Sequence, residues 1–273
     1  MRTVAARSIT AAVKELCLQA NRRLRPDVVA ALRKAAGQET SARGRKLIDC
    51  ILANARLAGS KGLAICQDTG LPAVFVQLGS GVRINGNFEK AILDGVEQGY
   101  RSGYFRPSIV ADPLKRGASS FRGAVIHTDI TQGDKLTITV LPKGFGCENK
   151  TKLKMFNPTA GEQAVKDFIV QAVKEAGPDA CPPYVVGVGI GGTAEYACLL
   201  AKKALLCPVS RPKDALEKWL LPAMNKLKIG PMGLGGSTTA LAVHVLRAPT
   251  HIAGLPVAVS ISCHALRSAR AQL

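Results

Sequence analysis

The sequence predicts an α/β protein: a helical N-terminal region followed by a mixed β-sheet region with glycine-rich loops converging on one site. Three observations carry this expectation. Up to about residue 60, apolar side chains recur at helical spacing. Beyond it, short β-branched runs alternate with helical stretches. Three of those runs border glycine clusters. With 273 residues the chain can bury a sizeable core. We expect one domain over 1–273, with a helical portion at about 1–60 and an α/β portion at about 61–273.

Residues 8–36 read as helices, with Ser8 or Thr10 as a cap and Pro26-Asp27 opening the second. Glu39-Thr40-Ser41 precedes a third, which sets Leu47, Ile48, Ile51, Leu52 and Ala55 on one face and ends at Gly59–Gly62. Then comes Ala64-Ile65-Cys66-Gln67-Asp68-Thr69-Gly70-Leu71-Pro72, leading into a buried strand at 73–78. A thiol, an amide, a carboxylate and a hydroxyl thus occupy four consecutive positions at a strand entry. Polar groups packed this tightly are costly unless they bind something or each other. Either Asp68 and Thr69 hold a turn with Cys66 as a small hydrophobe, or the stretch is a site.

Phe88 to Tyr100 reads as a helix with Ile92, Leu93 and Val96 inward, and the break at 104–108 leaves Arg106 at the start of a loop. Residues 124–130 and 135–141 alternate around Gln132-Gly133-Asp134, which predicts a hairpin. In Pro142 to Thr151, glycines followed by Asn149, Lys150 and Thr151 are compatible with an anion nest or a plain glycine turn. The P-loop order is absent. A helix at 161–176 ends at Gly177-Pro178. Ala180-Cys181-Pro182-Pro183 then enters a buried strand that runs through Gly187, Gly189, Gly191 and Gly192 into a helix at 194–206. That glycine spacing does not match a dinucleotide fingerprint. The charged stretch 211–228, with the only tryptophan, reads as a surface helix. Glycine-rich 229–239, a strand at 240–246, His251, a strand at 255–261 and Cys263 complete the chain.

The formal net charge is +18, from 37 basic and 19 acidic residues. The basic residues are dispersed and aromatics for base stacking are scarce, so an acidic small substrate or acidic partner chain ranks ahead of nucleic acid. No run approaches the ~20 apolar residues of a membrane span. Arg2, Arg7, Lys14 and Glu15 interrupt any secretory signal, and Ile9, Val13 and Leu16 continue into a helix rather than a presequence. We therefore expect a cytoplasmic protein.

None of the eight cysteines forms a CxxC pair. Cys17, Cys50 and Cys198 fall in apolar helical patterns as core filler, whereas Cys66, Cys181 and Cys263 each sit beside turn residues. Three thiolates on a four-iron cube leave one iron open as a Lewis acid for a hydroxyl and a carboxylate. The competing reading of each is a buried small hydrophobe.

Several segments resemble class I iron–sulfur fumarases: Cys66-Gln67-Asp68-Thr69-Gly70, Arg106-Pro107-Ser108, Gly146-Cys147-Glu148-Asn149-Lys150, Ala180-Cys181-Pro182-Pro183, and Gly187 to Thr193. Pro249 to Pro256 and Cys263-His264-Ala265 belong to the same pattern, and the resemblance runs in order from about residue 8 to the end. It implies an α subunit, with tartrate dehydratase α subunits as nearest relatives. It further implies a [4Fe–4S] cluster with one open iron site on Cys66, Cys181 and Cys263. Around a dicarboxylate substrate it places Gln67, Asp68, Arg106, Gly146, Asn149, Lys150 and Thr151, with Asp68 and His251 catalytic. The activity implied is hydration of fumarate to (S)-malate with a β subunit in an α2β2 assembly. The alternatives are dehydration of tartrate or another hydroxy-dicarboxylate, and a catalytically degenerate binding paralogue. The chain departs from the family pattern at 115–123, at Cys147 (usually Ser), at Met232 (usually Gln) and at Ser210-Arg211-Pro212.

Overall fold

The computed structural model describes residues 1–273. In chain order it runs β1 (Arg2–Ala5), α1 (Ala6–Arg22), α2 (Pro26–Gln38), α3 (Ala42–Lys61), β2 (Leu71–Gly79), β3 (Val82–Asn85), α4 (Phe88–Ser102), β4 (Ile109–Asp112), β5 (Arg116–Ser120), β6 (Val125–Thr131) and β7 (Leu136–Lys143). It continues with α5 (Phe145–Glu148), β8 (Lys152–Phe156), α6 (Gly161–Ala176), β9 (Tyr184–Gly192), α7 (Ala194–Ala204), α8 (Ala215–Asn225), β10 (Ala240–Thr250), β11 (Leu255–Ser262) and β12 (Ala269–Gln272). The expected α/β class with N-terminal helices is what the chain adopts. No helix is long and apolar enough to cross a membrane.

The chain forms two compact units. Unit 1 comprises Met1–Arg25, Asn54–Phe145 and Arg267–Leu273, and unit 2 comprises Pro26–Ala53 and Gly146–Leu266. The helical N-terminal stretch is thereby shared: α1 belongs to unit 1, α2 to unit 2, and the chain crosses within α3.

In unit 1, α1 buries Ile9, Val13, Leu16, Cys17 and Ala20 at helical spacing against β7 and β12. Its cap is Ala5, without a side-chain bond; Thr10, an expected cap, instead donates to the carbonyls of Ala6 and Ala91. α4 approaches α1 closely because Gly95 and Gly99 lack a Cβ, which would stand 2.7 Å from the Thr10 carbonyl oxygen and 2.9 Å from that of Lys14. These helices join Val74, Val76, Ile138 and Val140 of the sheet in one core. Each fully buried residue of this kind contributes about 1.5–3 kcal/mol.

The sheet order is β12-β7-β2-β6. The predicted hairpin between β6 and β7 does not form: both strands exist, but β2 lies between them, antiparallel to β7 and parallel to β6. The physical reason is that β2 carries an unbroken buried run, Pro72 to Val76, and its backbone groups need partners on both edges. The 115–123 region, where the sequence departs from the family pattern, carries the exposed strand β5, which pairs with β4, and is anchored by Arg122, which reaches Asp94 at 2.6 Å and Glu97 at 3.2 Å.

Unit 2 is built on the sheet β10-β9-β11-β8. Val257 and Val259 face a core shared with α6 and α8, while Ala258, between them, packs with Ala197 and Ala201 of α7. Gly187 and Gly189 serve this second face, because a Cβ there would lie 2.1 Å from the Ala201 oxygen and 2.0 Å from the Ala197 oxygen. The expected surface helix, α8, buries Leu216, Leu220, Met224 and a fully buried Glu217, and only its tryptophan side lies open. Arg211 and the Val245 N–H both donate to Glu217, which is why a carboxylate is tolerated there.

Candidate active site

The turn before β2 is gripped from below by the core of unit 1. Its successive carbonyls at 68, 69 and 70 each accept a bond from a buried side chain: Arg267 donates to Asp68, and the Tyr100 hydroxyl donates to Thr69 at 2.6 Å and Gly70 at 3.1 Å. Burial pushes the Tyr100 phenol up, so it stays a donor. The Asp68 carboxylate accepts from Gly70 N–H at 3.1 Å and Phe145 N–H at 2.8 Å. With the backbone held this way, Cys66 and Gln67 are exposed. Thr69 is buried and reaches the carbonyl of Arg106, whose own side chain is exposed with no protein partner. Unit 1 therefore brings Cys66, Gln67, Asp68 and Arg106 to one place. Tyr100 and Arg267 were not singled out by the sequence reading: a tyrosine on an amphipathic helix and an arginine near the C-terminus carry no local signal of a clamp.

In unit 2, Cys181 takes a left-handed backbone (φ 56) just before β9. The His264 N–H donates to the Cys181 carbonyl at 3.3 Å, and the His264 Nδ1 lies 3.1 Å from the same oxygen. Cys181 and Cys263 are thus neighbours, both partly exposed. The 229–239 loop joins them through Met232 N–H, which donates to the Pro182 carbonyl at 2.8 Å. That loop is in turn fastened by buried Glu39, which accepts from the N–H groups of Ser41, Ser237 and Thr238 at 2.9, 2.8 and 2.8 Å. Burial alone would raise this carboxyl; the donors outweigh it and hold it down at about 2 against an ordinary 4.5.

Gly146, Asn149, Lys150 and Thr151 gather at the same end of unit 2. The Cys147 thiol donates to the Ala180 carbonyl at 3.5 Å, and Lys150 pairs with Asp179 at 2.7 Å. The segment is one helical turn, not an anion nest: neither Gly144 nor Gly146 has a positive φ, and the N–H groups of Lys150 and Thr151 donate back to Cys147 and Glu148. The buried Thr151 hydroxyl has no hydrogen-bond partner, and Asn149 is exposed.

His251 stands elsewhere. β9 pairs Val185 with Ser262 at the thiol end and Gly192 with Thr250 at the other, so His251 lies at the far end of the nine-residue strand from Cys181 and Cys263. The glycine clusters divide in the same way. The 229–239 loop meets Pro182, next to Cys181, whereas Gly192 borders His251. Both occur at strand ends, and a strand has two.

Thiols carried by turns are the donor type that an iron–sulfur group takes; unit 1 offers Cys66, and unit 2 offers Cys181 and Cys263. All three sit in turns with accessible thiols, unlike Cys17, which is fully buried with its thiol pushed up by burial. Cys50, expected in the core, is exposed, because α3 turns Ile48 and Ile51 inward instead. Within either unit, no three His, Cys, Asp or Glu side chains are gathered at metal-binding distance.

Comparison with known proteins bears on this arrangement. Residues 10–272 match the family model described as fumarate hydratase (Fumerase). A Methanocaldococcus jannaschii protein provisionally named L(+)-tartrate dehydratase subunit alpha is 38% identical over 278 residues, covering 96% of each chain. The L(+)-tartrate dehydratase subunit alpha of Escherichia coli strain UTI89 is 31% identical over 272 residues, covering 96% of this chain and 90% of its own, and that of strain K12 matches to the same extent. From residue 10 to residue 272, then, this chain belongs to the fumarate hydratase family.

Proposed function

We propose that the chain is the α subunit of a cytoplasmic iron–sulfur hydro-lyase that interconverts fumarate and (S)-malate, active as α2β2 with a β subunit. The observation that carries the reading is the bonding of the Cys181 and Cys263 segments through His264, at the end of unit 2 that also holds Asn149, Lys150 and Thr151. A [4Fe–4S] cluster on Cys66, Cys181 and Cys263 would supply an open iron as Lewis acid for a substrate oxygen.

The chain's own residues do the rest. Arg106 offers a two-pronged donor to one carboxylate of the substrate. Lys150 offers a point charge to the other, because its partner Asp179 is 64% exposed and such a pair holds weakly. The Gln67 and Asn149 amides, the Thr151 hydroxyl and the Gly146 N–H orient the diacid. Asp68, fixed by two backbone donors, keeps lone pairs with which to align water or the substrate hydroxyl. Water is added across the double bond, oxygen to one carbon and a proton to the other, and the β subunit supplies the base for the carbon-bound proton. The net charge of +18 steers a dianion inward.

A second reading, dehydration of L(+)-tartrate, is favoured by the names of the relatives, which match over 90% or more of their length. The test is iron and sulfide content, with turnover of fumarate, mesaconate and tartrate by the chain co-produced with its β subunit. Cys66→Ser, Cys181→Ser and Cys263→Ser should each lose the iron while Cys17→Ser keeps it; equal iron in all four sinks the cluster assignment. Turnover of tartrate without fumarate moves the function to the second reading. Iron-free wild-type protein that resists reconstitution leaves a binding paralogue.

A further inference from the structure

Ser210 and Arg211, from a stretch where the chain departs from the family pattern, line a cleft of about 580 Å³ in unit 2 that none of the residues assigned to the substrate borders. One wall is α2. Asp27, Ala30, Ala31, Lys34 and Gln38 recur at three- and four-residue intervals, so they share one face of the helix, and the two alanines leave room on it. The facing wall is the segment 209–213. It is fastened by Val209 N–H, which donates to Asp27 at 2.8 Å, and by Arg211, which donates to the His244 Nδ1 at 3.1 Å and to Glu217. The floor is the start of β10, where Asn225 accepts from the N–H groups of Thr239 and Ala240 at 2.8 Å each. Walls tied in this way are set before a ligand arrives, and the volume is that of a small-molecule site.

Charge in the cleft is uneven. Asp27, the one carboxylate in its lining, holds the Val209 N–H, and Arg211 is committed to Glu217. Lys34 and Lys213 stand on opposing walls, and neither forms an ion pair with a carboxylate of the chain. Two ammonium groups bordering one gap repel each other, and a dianion between them replaces that repulsion with two charge-assisted bonds. The rest of the lining is largely apolar, with Ala35, Val209, Leu221 and Leu241 offering contact to a nonpolar body.

We propose that this cleft binds a small phosphate ester, with the phosphoryl group between Lys34 and Lys213 and the organic part against the apolar lining. Lysine serves phosphate as a point charge, and a single carboxylate brings only half the charge of a phosphoryl dianion. Ser237 and Thr238 border the cleft too, so the occupant rests against the loop whose Met232 N–H meets Pro182. Binding here needs neither a cluster nor a β subunit, so its success or failure stands apart from the hydro-lyase reading.

The experiment titrates phenyl phosphate into the full chain by calorimetry at about pH 7.5, where its phosphoryl group is close to a dianion. It should saturate with a Kd of about 1 mM or below, at least about tenfold tighter than inorganic phosphate or benzoate. Lys34→Gln and Lys213→Gln should each weaken it about tenfold. Ala30→Glu, which puts a carboxylate on the cleft wall, should weaken it at least as much. All three positions lie outside the buried core, so the urea midpoint should stay in place. Amide exchange should slow on binding at residues 30–38 and 237–241. No saturation by about 10 mM, or undiminished binding by both lysine variants, overturns the proposal. Equal affinity for inorganic phosphate or benzoate overturns the ester assignment, and slowed exchange confined to residues outside the cleft overturns its location.

Discussion

Cys66 and Cys181 each sit in a turn that feeds a buried strand, yet the two turns are held by different means. In unit 1 the carbonyls of Asp68, Thr69 and Gly70 hang from the side chains of Arg267 and Tyr100. In unit 2 the turn is held mainly through backbone: Cys181 N–H to Pro178, His264 N–H to Cys181 and Met232 N–H to Pro182. A side-chain clamp can be weakened by deleting one atom. A backbone clamp is disturbed by adding one, wherever a neighbouring main chain comes too close for a Cβ.

The comparison can be broken most forcefully at Gly230, which has φ +71 and where a Cβ would stand 2.0 Å from the Gly235 oxygen. Gly230→Ala should cost about 3–4 kcal/mol by urea denaturation, since strain and collision coincide. A loss below about 1 kcal/mol would show that the 229–239 loop is not held rigidly by its backbone.

A smaller effect is expected at Glu39, which fastens the same loop by accepting backbone N–H bonds. Its carboxyl is held at about 2 when folded against an ordinary 4.5, so its contribution is complete above pH 4.5 and fades as pH falls towards about 2. Wild-type stability should drop by about 2–3 kcal/mol across that window on this account, and Glu39→Gln should be less stable at pH 7 with a flatter slope. Parallel pH curves for the two proteins would remove Glu39 from the clamp.

The smallest effect belongs to the side-chain clamp of unit 1. Tyr100→Phe keeps the buried ring and deletes one hydroxyl, leaving the carbonyls of Thr69 and Gly70 short of a donor. The expected loss is about 1–2 kcal/mol. Faster amide exchange should appear at residues 67–70, with Cys181 and its neighbours unchanged. A loss larger than that of Gly230→Ala would reverse the ranking.

Much of this molecule was legible in the residues alone. The helical patterns of α1 to α4 and α6, the buried strands β2, β9 and β11, and the turns carrying Cys66, Cys181 and Cys263 are local features, written in periodicity and in Gly and Pro placement. Membership of the fumarate hydratase family was legible in the motifs, and the match over residues 10–272 agrees. Short polar edge elements were not legible: β5 reads Arg-Gly-Ala-Ser-Ser and is exposed throughout, so it has no hydrophobic pattern to announce it.

What the sequence determined by itself is which stretches become helix or buried strand, and which residues have the chemistry for a site. Only the tertiary structure decided that β2 separates β6 from β7, that Arg267 and Tyr100 hold the Cys66 turn, and that His251 lies a strand's length from Cys181. The reason is physical. Periodicity reports which face of an element is buried, but strand partners, and the end of a strand at which a loop emerges, follow from contacts between residues far apart in the chain.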